Sequence, residues 1–210
     1  AKTSGTATVT AAVSTQADSR GTKAASLATG VVNNGVYTIS SSLSGSKMLD
    51  VSGGSTSNGA HVQLWGNNAT AAQRWRFVDC GNGYYEIVSV KSGKALDVSN
   101  ARFYNGAVVQ QWDRNGTKAQ RWKIEVSNGY VRIVSALSSN YVLDLSGANT
   151  ASGTRVQLWQ SNGTGAQLWR LNRQAEIVPS DFYTIKNQGS GKVLDISGGS
   201  YGDSGNVQQY

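Results

Sequence analysis

From about residue 35 onward the chain is a succession of short apolar–polar alternations separated by Gly, Asn and Ser, the period-two signature of half-buried strands between tight turns. VYTIS (36–40), YYEIV (84–88) and YVRIV (130–134) each predict a strand. KMLDVS (47–52), KALDVS (94–99) and YVLDLS (141–146) predict a second. A third carries VQLW or VQQW (62–65, 109–112, 156–159), and a fourth carries QxW (73–75, 120–122, 167–169). Asp50, Asp97 and Asp144 fall 47 residues apart, so the pattern is an internal repeat of four strands, with units at 36–78, 84–125 and 130–172. Asn115-Gly116 and Asn162-Gly163 lie between the third and fourth predicted strands and read as hairpin turns. FYTIK (182–186), KVLDIS (192–197) and VQQY (207–210) open a fourth unit that stops before any QxW. The fold class predicted is all-β.

All six tryptophans belong to these units, two in each. Side chains alternate between strand faces, which separates the two tryptophans of a pair. In QRWRF, Gln73, Trp75 and Phe77 share a face opposite Arg74 and Arg76. Gln120, Trp122 and Ile124 do the same, as do Trp169 and Leu171. Trp75, Trp122 and Trp169 are therefore expected in a shared core around the repeat axis. In VQLW the order is reversed: Val62 and Leu64 face one way, Gln63 and Trp65 the other. The pairs Gln110/Trp112 and Gln157/Trp159 follow, although Gln111 interrupts the apolar face of the second copy. A large ring beside an amide on the polar side of a strand suits a ligand platform. Its alternative is a cover for a loop or for the mouth of a barrel. Asp50, Asp97 and Asp144 each stand 15 residues before that tryptophan, and Asp195 stands 15 before Tyr210. A carboxylate accepting from vicinal hydroxyls beside an aromatic face matches the surface of a pyranose. The same carboxylates could instead accept backbone N–H groups in a turn, and the two roles are compatible.

The remaining chemistry narrows the choice. Residues 1–34 are Ala/Thr/Ser-rich and almost without large apolar groups, and read as a flexible leader. The stretch 173–182 holds the only proline, Pro179, and reads as a joint before an incomplete fourth repeat at 183–210. A part-unit cannot bury its own apolar face, so the natural protein is expected to continue past Tyr210, and 183–210 to pack on the preceding units, swap with another chain or remain loosely held. No apolar run is long enough to cross a membrane as a helix. The single cysteine, Cys80, has no partner for an internal disulfide or a metal site. The formal net charge of +7 is scattered, and Arg76, Lys123 and Arg170 recur one position after a repeated tryptophan, as solvated strand faces do. Nucleic acid is therefore not an expected partner. The lone His61 occupies a position filled by Val108 and Arg155 in the other copies, the acids show no pairing suited to glycoside hydrolysis, and no nucleophile, phosphate-loop or metal spacing occurs. Neither catalysis nor a cofactor is expected in this chain.

The LD[VLI]…VQ[LQ]W…QxW pattern resembles the ricin B-chain-like lectins, the R-type carbohydrate-binding modules, over about residues 35–210. The resemblance implies a β-trefoil of three QxW repeats, with up to three shallow sugar sites. It implies site residues Asp50, Gln63, Trp65 and Gln73 in the first unit. The second would supply Asp97, Gln110, Trp112 and Gln120, the third Asp144, Gln157, Trp159 and Gln167, and the partial fourth Asp195, Gln208 and Tyr210. One departure stands out: the family carries Asn before the QxW glutamine where this chain has Ala72, Ala119 and Ala166. Each lost hydrogen bond would weaken a site by about 1–2 kcal/mol unless Asn68, Asn115 or Asn162 replaces it. The units lack the paired cysteines of plant toxin lectins and look closer to repeats of secreted or cell-surface proteins of Gram-positive bacteria. Glycans are the partner expected.

Overall fold

The computed structural model describes residues 30–174, 190–196 and 207–209, which fall into two units. In the larger, twelve strands form a single antiparallel sheet system. The first repeat contributes β1 (Val36–Ser41), β2 (Ser44–Val51), β3 (Val62–Gly66) and β4 (Trp75–Asp79). The second contributes β5 (Tyr84–Ser89), β6 (Ala95–Val98), β7 (Ala107–Trp112) and β8 (Arg121–Ser127). The third contributes β9 (Tyr130–Ser135), β10 (Tyr141–Leu145), β11 (Thr154–Gln160) and β12 (Trp169–Arg173).

First and fourth strands pair around a closed ring, β1–β4–β5–β8–β9–β12 and back to β1. Closure removes exposed strand edges. The second and third strands of each unit form hairpins, β2–β3, β6–β7 and β10–β11. These hairpins meet through β3–β11, β7–β11 and a bridge from His61 to Gln110. The core lies inside ring and hairpins. Trp75, Trp122 and Trp169 are fully buried there with Leu49, Leu96 and Leu143. Each ring also places its one polar atom: Nε1 donates to the carbonyl of Leu49, Leu96 or Leu143 at 3.0, 3.0 and 3.1 Å. A buried indole is tolerated because that donor is satisfied.

Three expectations need correction. Asn115-Gly116 and Asn162-Gly163 do make turns, but they do not join hairpins: β7 pairs with β6 and β11, and β8 with β5 and β9. The pairing partners come from elsewhere in the chain, which a local turn signal cannot reveal. Secondly, the fourth strand does not include the QxW glutamine in any of the three units. Gln73 and Gln167 sit in 3-10 turns, Ala71–Gln73 and Gly165–Gln167, as Gln120 does in Lys118–Gln120. Thirdly, residues 31–34 are not part of a leader. Val31 is buried, Asn34 N–H donates to the Phe77 carbonyl at 2.8 Å, and Asp79 N–H donates to Asn33 Oδ1 at 3.0 Å. Residues 1–29 lie outside the described residues, as do 175–189, which hold most of the expected joint with Pro179.

In the smaller unit, β13 (Leu194–Ile196) pairs antiparallel with β14 (Val207–Gln209), with Asp195 opposite Gln208. Asp50–Gln63, Asp97–Gln110 and Asp144–Gln157 hold the same register in their hairpins. Tyr210, the aromatic expected beside this pair, lies outside the described residues.

Candidate functional site

Each hairpin carries one site. In β2 the core residues Leu49 and Val51 flank Asp50, so alternation turns its carboxylate to the opposite face, where Gln63 stands directly across. Gln63 Nε2 donates to Asp50 Oδ1 at 2.9 Å, and Gln110 and Gln157 donate to Asp97 and Asp144 at the same distance. Trp65, Trp112 and Trp159 follow two residues on, on the same face. Trp65 is 42% and Trp112 40% exposed, and Trp159 is half-buried.

The other side of each ring rests on the turn of the preceding repeat in cyclic order. A Cβ added to Gly153 would lie 3.8 Å from Trp65, one on Gly59 3.9 Å from Trp112, and one on Gly106 4.0 Å from Trp159. The two readings of this tryptophan therefore coincide: one face covers a neighbouring turn, and the ring still opens to solvent.

Three open pockets coincide with these sites. The first, of about 520 Å³, is lined by Asp50, Gln63, Trp65, Asn68, Thr70 and Ala72 among others. The second, about 340 Å³, has Asp97, Gln110, Trp112, Asn115, Thr117 and Ala119 in the same places. The third, about 440 Å³, has Asp144, Gln157, Trp159, Asn162, Thr164 and Ala166. The structure thus brings together the predicted Asp, Gln and Trp of each unit.

It places the QxW glutamines behind the pocket wall rather than at its surface. Gln73, Gln120 and Gln167 are fully buried and line none of the three pockets. As direct contacts to a ligand they are corrected: their amides are consumed inside the protein. Gln120 Nε2 donates to Asp97 Oδ2 at 3.2 Å and to the Asp113 carbonyl at 2.9 Å, while its Oε1 accepts from Asn115 N–H at 2.8 Å. Gln167 repeats all three bonds around Asp144, and Gln73 makes the corresponding bonds to the Gly66 carbonyl and Asn68 N–H. These residues hold the carboxylate and the site loop from behind.

Asn68, Asn115 and Asn162 line the same pockets as Ala72, Ala119 and Ala166 and bring the amide that alanine lacks. Their Oδ1 atoms cap a local turn by accepting from the N–H and hydroxyl of Thr70, Thr117 and Thr164. That bonding orients each side chain while leaving its NH2 group as a donor at the pocket wall. The Asn-x-Thr triplet recurring every 47 residues is the sequence signal for this pair. Burial is the largest influence on the carboxylates and raises the pKa of Asp50, Asp97 and Asp144 above the ordinary 3.8, with the glutamine donors opposing it. Each carboxylate retains acceptor lone pairs beyond the two glutamine bonds. The chemistry on offer in each pocket is one recessed acceptor, two amide groups and a flat apolar ring. Among the described residues no His/Cys/Asp/Glu cluster could hold a metal.

The ricin-type β-trefoil lectin domain-like family matches the chain at residues 1–65, 71–159 and 119–210. The chain belongs to this family. Comparison with curated proteins finds no match. Among solved structures, the designed threefold-symmetric protein ThreeFoil is 39% identical with a TM-score of 0.63, over 65% of this chain and 96% of its own. An exo-β-1,3-galactanase from Clostridium thermocellum is 36% identical (TM-score 0.64) over 68% of this chain, but the match spans only 31% of the enzyme. The Macrolepiota procera ricin B-like lectin, solved with lactose, is 25% identical (TM-score 0.57) over 69% of this chain and 99% of its own.

Proposed function

We propose that this chain is a carbohydrate-binding module built from three QxW repeats, each with one shallow sugar site. In each site the Asp and the VQ glutamine bind ring hydroxyls, the exposed tryptophan stacks on the C–H face, and Asn68, Asn115 or Asn162 adds a donor. The observation that carries this is the threefold recurrence of a recessed carboxylate beside a solvent-accessible indole in one open pocket. The lactose-bound relative and the galactanase that holds a matching segment within a longer chain support the same reading. The module contributes adhesion rather than catalysis, as the targeting part of a larger secreted or cell-surface protein of a Gram-positive bacterium. Single shallow sites are weak, and three on one rigid body gain by multivalency. The register shared by Asp195–Gln208 supports residues 183–210 as part of a fourth repeat.

A glycan array spanning mammalian, plant and bacterial wall glycans tests the reading. Wild-type protein is expected to bind one glycan class. Trp65→Ala/Trp112→Ala/Trp159→Ala, still folded by circular dichroism, is expected to lose on the order of tenfold per site, a step of ~1.4 kcal/mol. Retained binding in the folded triple variant refutes the assignment. Silence of the folded wild type on every class favours a protein-interaction trefoil whose sugar sites have decayed.

Acid should separate binding from folding. The raised Asp50, Asp97 and Asp144 values mean that these groups protonate more readily in the folded than in the unfolded chain. Their ionised forms therefore weaken the fold at neutral pH, and that penalty is relieved as pH falls through the folded values toward 3.8. Sugar binding moves the opposite way, because it requires the ionised acceptor. Elution from a glycan column is expected at a midpoint above pH 3.8, while near-UV circular dichroism remains native. An elution midpoint that tracks unfolding would show that the carboxylates are not the acceptors.

A further inference from the structure

The three pockets are nearly copies of one another, so a residue that departs from the copy is informative. Lys91 lines the first pocket, beside Asp50, Trp65 and Asn68, and no cationic side chain lines the other two. It comes from the second repeat, in the turn between β5 and β6. We propose that Lys91 makes the first pocket a site for acidic glycans, receiving the carboxylate of a uronic acid while Asp50 and Gln63 hold its hydroxyls. This rests on the carbohydrate-binding reading of the same pocket.

Backbone geometry shows that the position is shared and only its chemistry differs. Val90 N–H donates to the Arg74 carbonyl at 2.9 Å, fixing this turn against the residue after Gln73. Ala136 N–H to Arg121 and Ser42 N–H to Leu168 repeat that bond at the same length for the second and third sites. The residues that follow are Lys91, Leu137 and Leu43. One site therefore carries a cation where the other two carry leucine.

Lys91 is exposed and forms no hydrogen bond or ion pair among the described residues. Its neighbour Lys94 is different, being engaged by Asp113. No protein group among the described residues holds this ammonium at the pocket wall, so it is available to a ligand anion. Asp50 constrains how such a ligand lies. A carboxylate cannot approach Asp50, which faces hydroxyl donors, so the anionic end must point away from it, toward the rim. The first pocket is also the largest, about 520 Å³ against 340 and 440 Å³, leaving room for a substituent beyond the ring. Because Lys91 is solvent-exposed, the gain is modest and salt-sensitive, about fivefold at low ionic strength.

The test uses the full chain and follows the three site indole N–H signals by NMR. Matched short oligomers of galactose and galacturonate, glucose and glucuronate, and mannose and mannuronate are titrated. The expected result is that Trp65 responds to an acidic member at about fivefold lower concentration than to its neutral counterpart, while Trp112 and Trp159 show no such preference. Lys91→Leu should abolish the preference without weakening neutral-sugar binding, 0.5 M salt should suppress it, and Lys91→Arg should keep it. An acid preference that survives Lys91→Leu, or that Trp112 and Trp159 share, overturns the assignment, as does equal response to both members at Trp65. If no pair moves any of the three indoles and the array is silent too, the carbohydrate reading itself fails and takes this inference with it.

Discussion

Trp122→Ala is expected to cost about 3–5 kcal/mol of folding free energy, the range for deleting a large aromatic from a close-packed core. That is a large share of the 5–15 kcal/mol that holds a typical domain together. The ring is fully buried, and its removal also leaves the Leu96 carbonyl without its 3.0 Å donor. Trp112, ten residues earlier on the same repeat, should behave differently. It is 40% exposed and rests by one face on the turn at Gly59, so Trp112→Ala should cost about 1 kcal/mol or less. Urea unfolding followed by far-UV circular dichroism compares the two directly. Equal losses would mean that the two tryptophans of a unit are not divided between core and surface. The same contrast should hold for Trp75 against Trp65 and for Trp169 against Trp159.

That division was legible because strand alternation is a local property. Val62, Leu64 and Trp75 declare their faces within five or six residues of sequence, and burial agrees with each. The hydrogen bond from Gln63 to Asp50, and its copies, was not read from the sequence: the resemblance named both residues, but only the hairpin register sets them directly across from each other. What depends on the rest of the chain was not legible. Gln73 shares the parity of Trp75 in the sequence, yet a 3-10 turn lies between it and the strand, so its burial has a different cause from the one the alternation suggested. The Asn-Gly turns predicted hairpins because the signal is local, whereas β7 pairs with β6 and β11 and the ring pairs β8 with β5 and β9. Gln111 seemed to spoil an apolar face. It is instead fully buried with its amide spent on the Ser55 and Ser57 carbonyls and on the Ser92 hydroxyl, partners from two different loops. Lys91 reaches its pocket across a repeat boundary, so no single repeat reveals it.

Gln120→Ala should damage the second site more than any change within the pocket itself. One buried amide there connects three things: the Asp97 carboxylate, the Asp113 carbonyl where β7 ends, and the Asn115 N–H that begins the site turn. Alanine leaves a buried acceptor and a donor without partners, at about 1–3 kcal/mol for a poorly rescued group, and a total near 2–4 kcal/mol is expected. Asp97 also loses one of the two donors that oppose its burial, so its pKa should rise further and the second site should release ligand at a higher pH than the other two. A purely structural role would lower stability and leave that pH midpoint unchanged. The decisive comparison is with Gln110→Ala, which removes the other donor to Asp97 from the pocket side while leaving the Asn115 turn intact. If Gln120→Ala weakens glycan binding at the second site and displaces the Asn115 amide resonance, while Gln110→Ala weakens binding alone, the QxW glutamine is a positioning residue. If Gln120→Ala binds and melts as wild type, the site loop is held by its own Asx turn through Asn115 and Thr117, and the buried amide is dispensable.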